Sequence, residues 1–122
     1  MKWAALGWVA LGGALGSVIR ALAGQLIPAG RLPWATVLVN VAGSCLIGIL
    51  MARFALLDSS ESGRAHSFWV VGVCGGFTTF STFSWQTIEQ MQKGNWAGGI
   101  LNVAISLAGC LGATWLGWRL AR

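Results

Sequence analysis

Five hydroxyl side chains, Thr78, Thr79, Ser81, Thr82 and Ser84, fall within seven consecutive residues, and Phe77, Phe80 and Phe83 recur every third position among them. The glycine pair Gly75-Gly76 stands immediately before this run. Hydroxyl protons donate to anions. Phenyl rings carry a positive edge and a negative face, so rings at 80 and 83 can offer edges to a small anion. Two adjacent glycines favour a helix break, and a broken helix frees backbone carbonyls, which are oxygen ligands for a hard cation such as Na⁺. The competing reading is three core phenylalanines at helical spacing. It accounts for the rings alone but not for the glycines and hydroxyls beside them.

Other polar residues recur at four-residue spacing, which places them on one helix face. These are Gly12, Gly16 and Arg20; then Thr36, Asn40, Ser44 and Gly48; then Gly98, Asn102, Ser106, Cys110 and Thr114. Small residues at this spacing let helices approach closely, which is the favoured role for Gly12, Gly16, Gly48 and Gly98. Asn40, Asn102 and Ser106 divide between helix packing and a polar path, because an amide at mid-membrane depth is costly without a partner. Arg20 either snorkels toward a span end or marks an anion pathway or a counter-charge.

Positioning these groups requires helices long enough to cross a bilayer. The chain has 122 residues, room for one domain over 1–122; it is 56% hydrophobic and 9% charged, with mean hydropathy +0.70. Soluble domains carry about 25% charged residues, so an integral membrane protein is expected. A span needs about 20 apolar residues, and four fit, over 3–27, 34–57, 67–92 (interrupted near Gly75-Gly76) and 95–120. The first run is too long for the apolar core of a signal peptide and reads as a retained span. Residues 58–64, from Asp58 to Arg64, form the one hydrophilic loop of any length. Trp3, Trp34, Trp69, Trp96 and Trp118 fall near span ends, as an interfacial aromatic belt requires.

The charges narrow the function. Net charge is +5, but the basic residues are dispersed, which argues against nucleic acid as a partner. Lys2, Arg53, Arg64, Arg119 and Arg122 lie on the side of the termini, against Arg31 and Lys93 opposite, with Arg20 a third there if it is counted, so cytoplasmic termini are mildly favoured and insertion in both orientations is compatible with so small a bias. Spans one, two and four contain no carboxylate, and Glu89 lies near the end of the third; this disfavours proton-coupled transport. It also separates the chain from small multidrug transporters, which are likewise four-span dimers but need a first-span acid. A scaffold subunit would account for the small-residue stripes but not for the break in the third span. Cys45, Cys74 and Cys110 are far apart and His66 is the one histidine, so disulfide and zinc readings are weak and the cysteines are expected as small buried hydrophobes.

Three motifs together resemble the Fluc (CrcB) fluoride channel family. Gly12-Gly13-Ala14-Leu15-Gly16-Ser17-Val18-Ile19-Arg20 is similar to the family's first-span motif, Thr36-Val37-Leu38-Val39-Asn40 to its second, and residues 75–84 to its signature; the resemblance covers nearly the whole chain. It implies an all-α membrane protein of four transmembrane helices, the third broken near Gly75–Thr78, assembled as an antiparallel, dual-topology homodimer in the cell inner membrane. It implies a passive, fluoride-selective channel and not an enzyme, exporting F⁻ that accumulates after HF enters a cell. It implies a fluoride pathway of Asn40, Phe80, Ser81, Thr82, Phe83, Ser106 and Arg20, and a structural Na⁺ held by the backbone carbonyls of Gly75 and Thr78. Three positions depart from the family pattern: Gln86 stands where many members carry glutamate, and Asn102 and Cys110 stand where the fourth-span track often holds Tyr and Ser.

Overall fold

The computed structural model describes residues 2–122, and for residues 59–61 the backbone alone. All regular structure among the described residues is helical. Helix α1 runs Trp3–Leu26, α2 Trp34–Phe54 and α3 Ser59–Ala65. α3 passes without interruption into a π-helical segment, His66–Cys74, and then into α4, Gly75–Phe77. After a two-residue gap come α5, Phe80–Gln92, and α6, Trp96–Ala121. α1, α2 and α6 are each long and apolar enough to cross a membrane. The fourth rod is the composite α3–α5, interrupted at Thr78-Thr79. Four helical rods are therefore present, and the third is the broken one.

Three boundaries differ from expectation. α2 ends at Phe54, and residues 55–57 form a turn in which Leu56 N–H donates to Arg53 O at 3.1 Å. Residues 59–64 are helical and not loop. Asp58 caps the helix with extended backbone (φ −65°, ψ 145°), and its carbonyl accepts from Ser62 N at 3.2 Å. A short polar helix is unfavourable alone because nucleation is costly; continuous with the next segment, it needs no nucleus of its own. The third difference is the place of the break. Gly75 has helical dihedrals (φ −62°, ψ −39°), whereas Thr78 and Thr79 are extended (φ −86°, ψ 156° and φ −149°, ψ 111°). The break thus falls at the Thr78 end of the expected region, two residues beyond the glycine pair.

The glycines serve close approach. A methyl group at Gly76 would overlap the Gly13 carbonyl, and one at Gly16 would overlap the Val73 carbonyl. α1 and the first half of the broken rod are therefore in backbone contact at Gly12, Gly16, Gly72 and Gly76. α2 and α6 are matched in the same way, Gly48 against Thr114 and Gly117 against Cys45, with Thr114 Oγ1 donating to Ser44 O at 3.0 Å. Without a hydrophobic drive between helices in lipid, such contacts carry much of the association. The bundle is two tight helix pairs, and the break lies between them: a methyl group at Gly43 on α2 would strike the Thr78 side chain.

Among the tryptophans expected at span ends, Trp3, Trp34 and Trp96 open their helices. Trp118 lies in the last turn of α6, with the Arg122 guanidinium 4.6 Å over its ring. Trp69 lies inside the π-helical segment. Cys74 is buried as expected, while Cys45 and Cys110 are half-buried; all three are free thiols.

Candidate functional site

The break leaves backbone groups without helical partners, and side chains from two other helices meet them. In a continuous helix the Thr79 N–H would donate to the Gly75 carbonyl. Here it donates to Asn40 Oδ1 at 2.7 Å, and Asn40 Nδ2 donates back to Thr79 O at 3.0 Å. The amide of α2 thus clamps both backbone groups of one residue. Arg20 of α1 donates from Nε to the Gly76 carbonyl at 2.9 Å, so the cation is tied to the broken rod and does not snorkel away from it. The Thr82 N–H, which a continuous helix would give to Thr78, donates to Thr79 Oγ1 at 3.2 Å and so caps α5. The carbonyls released by these exchanges are those of Gly75 and Thr78.

The hydroxyls divide by what their protons already do. Thr78 Oγ1 donates to Cys74 O at 2.8 Å and Ser84 Oγ to Phe80 O at 2.9 Å. Thr79 Oγ1 donates to Thr82 Oγ1 at 3.0 Å. Each hydroxyl has one proton, so these three are committed to protein acceptors. Thr82 accepts from Thr79 and keeps its own proton for a ligand. Ser81 makes only a 3.4 Å contact with Thr79 Oγ1, so its proton is nearly free as well.

Two depressions meet at this point. One, of about 430 Å³, is bordered by Asn40, Gly75, Thr78, Phe80, Phe83 and Ser106. It therefore gathers both expected cation-ligating residues and four of the expected pathway residues. The other, of about 670 Å³, holds Arg20 and Thr82, with Gln86 on its wall and Glu89 and Lys93 at its rim. Glu89 and Lys93 form an exposed pair at 3.1 Å, consistent with an interfacial acid. Thr79 borders both depressions, and Asn40, which clamps it, borders the smaller one. Ser81, exposed, borders neither. The Phe80 and Phe83 rings lie 5.4 Å apart, tilted by 50°; Phe83 is 8% exposed and Phe80 75%.

Residue patterns overlooked one member. Thr87 is buried between α5 and α6, where its hydroxyl donates to Phe83 O at 2.8 Å and accepts from Asn102 Nδ2 at 2.9 Å. A threonine four residues after a pathway phenylalanine was the available signal. Asn102 is fully buried and accepts from Ser106 Oγ at 3.4 Å. Gln86 Oε1 is buried with no hydrogen-bond partner among the described residues, and the residue borders the larger depression. Cys110 borders the smaller one.

Residues 7–118 match the family model described as CrcB-like protein, Camphor Resistance (CrcB). The chain is 48% identical over 118 residues to the "Fluoride-specific ion channel FluC" of Paramagnetospirillum magneticum, covering 89% of this chain and 88% of that protein. It is 42% identical over 127 residues to the protein of the same name from Nitrobacter winogradskyi, covering 100% of this chain and 98% of that one. A third such protein, from Opitutus terrae, is 47% identical over 120 residues, covering 90% and 86%.

Proposed function

The chain belongs to the CrcB family, a family of ion channels and not of enzymes, and we propose that it is a fluoride-specific channel passing F⁻ passively across the membrane, out of the cell. The observation that carries this reading is the pair of depressions that share Thr79, a residue whose two backbone groups Asn40 holds. Fluoride is small and strongly hydrated, so a path must replace its water with hydrogen-bond donors. Arg20 and Thr82 supply them on one side, Asn40, through its second N–H, and Ser106 on the other. Phe80 and Phe83 add ring edges where donors are sparse. Ser81 belongs to the path only through its nearly free proton. No carboxylate borders the smaller depression, which suits an anion route without proton exchange.

The same geometry supports an antiparallel homodimer and a structural Na⁺. Gly75 faces open space and is exposed. Gly75 and Thr78 border the smaller depression beside the exposed Phe80, on a face that a second copy of the chain would cover. Two such faces supply four uncharged backbone oxygens, a donor set that suits a hard monovalent ion better than a divalent one. Bound there, Na⁺ would join the two breaks and add positive potential near the anion path. The dispersed basic residues leave a small orientation bias, which permits the two opposed insertions that this dimer needs in the inner membrane.

Liposomes loaded with fluoride and containing the purified protein are expected to release it without a pH gradient, with chloride release at the level of empty liposomes. Equal chloride flux, or strict dependence on a proton gradient, overturns the reading. For the cation, crystals grown with a heavier monovalent ion are expected to show one anomalous peak on the two-fold axis between two chains. Thr78→Ala should keep that peak, because the ligands are backbone. An axis holding only a water at hydrogen-bond distances contradicts the assignment.

A further inference from the structure

We propose that Thr87 and Asn102 form a hydrogen-bonded strut that positions Phe83 against Ser106 and thereby sets the discrimination between fluoride and larger anions. The proposal rests on the fluoride-channel reading and assigns neither residue a contact with the ion. Thr87 is 6% exposed and Asn102 0%, so neither faces a depression.

The directions of the bonds are fixed by proton count. The Thr87 hydroxyl has one proton and donates it to Phe83 O at 2.8 Å. It can therefore only accept from Asn102, at 2.9 Å. Asn102 Oδ1 in turn accepts from the Ser106 hydroxyl at 3.4 Å. One continuous chain, Ser106 to Asn102 to Thr87 to the Phe83 carbonyl, joins the α6 and α5 walls of the smaller depression. Phe83 and Ser106 are its two ends, and both border that depression.

The two bonds differ in what they can do. The pair at 2.8 and 2.9 Å is short and buried, so it fixes the Phe83 turn relative to α6. The 3.4 Å bond is long and weak. It holds the Ser106 proton on Asn102 when no anion is present and gives it up readily when a better acceptor arrives. Loosening the strut lets the Phe83 ring recede from Ser106, and a wider gap admits a larger anion.

Thr87→Val removes the hydroxyl at nearly constant volume, and Thr87→Ser restores it. In liposomes, Thr87→Val is expected to raise the chloride-to-fluoride flux ratio about tenfold, the equivalent of one buried hydrogen bond, with the dimer unchanged on size exclusion. Thr87→Ser should return the ratio to the wild-type value, which a purely volumetric role would not do. If Thr87→Val does not fold, Thr87→Ala, which cannot overpack the site, takes its place in the same comparison. An unchanged ratio in the folded variant, or no restoration by Thr87→Ser, overturns the strut. Wild-type liposomes separate the two readings: absence of fluoride release there overturns the channel assignment itself, and this proposal with it.

Discussion

Asn40→Asp is expected to abolish fluoride flux, by a factor of about a hundred or more, while the purified protein still elutes as the wild-type assembly. The amide is bound twice to one residue, through Oδ1 to Thr79 N–H at 2.7 Å and through Nδ2 to Thr79 O at 3.0 Å. An ionised aspartate keeps the first bond. It loses the second and turns an oxygen toward the Thr79 carbonyl, two acceptors with no proton between them. It also removes the remaining amide N–H, the one left for a ligand, and places negative charge beside the smaller depression. Each buried polar group left unpaired costs about 1–3 kcal/mol, and repulsion of the permeating anion adds to this in the low dielectric of the membrane interior. Asn40→Ala separates the contributions. It leaves both Thr79 groups unpaired but adds no charge, so it should lower thermal stability in detergent while reducing flux less than Asn40→Asp does. The measurements are fluoride-electrode recordings on liposomes and a melting curve for each variant. Normal flux through Asn40→Asp returns the residue to a helix-packing role.

That clamp also marks the limit of what residue patterns disclose. Three of the four rods follow from apolar length alone, and Asn40, Arg20 and the run 75–84 stand out because polar groups at membrane depth need partners. Which partners they find is a matter of tertiary structure. The glycine pair suggests a break at 75–76, yet Gly76 is helical because its missing side chain is used against Gly13 of α1. The chain opens instead at Thr78-Thr79, where Asn40 and the Thr79 hydroxyl are at hand to satisfy the freed groups. Residues 59–64 read as loop from their polarity, and become helix because the next segment continues them. Asn102 shares a helix face with Ser106 and Cys110, which spacing shows; its bond to Thr87 crosses between two helices, which spacing within one helix cannot show. Hydroxyl count likewise overstates the donors. Of the five in 78–84, three are committed to protein acceptors, and that division depends on the rotamers the break imposes.

Phe80→Ile is the variant that most cleanly separates function from packing. Phe83 is 8% exposed and Phe80 is 75% exposed in the single chain, although their rings lie 5.4 Å apart. Replacing Phe83 by Ile disturbs a packed wall and is expected to cost about 1–3 kcal/mol of stability along with flux. Replacing Phe80 removes a ring with few neighbours in its own chain, so the fold should hardly register it. Fluoride flux through Phe80→Ile is nevertheless expected to fall about tenfold or more, the order of one lost ring-edge interaction. A flux loss without a stability loss cannot come from disturbed packing inside the chain. It requires the exposed ring to be used at a surface that one chain leaves open, where Phe80 borders the same depression as Gly75 and Thr78. A second copy of the chain closing that surface would enclose Phe80 and turn a lipid-facing ring into a wall of the path. If Phe80→Ile and Phe83→Ile both carry fluoride at the wild-type rate, the two rings are packing and lipid contacts, and the route must run through Arg20 and Thr82 without them.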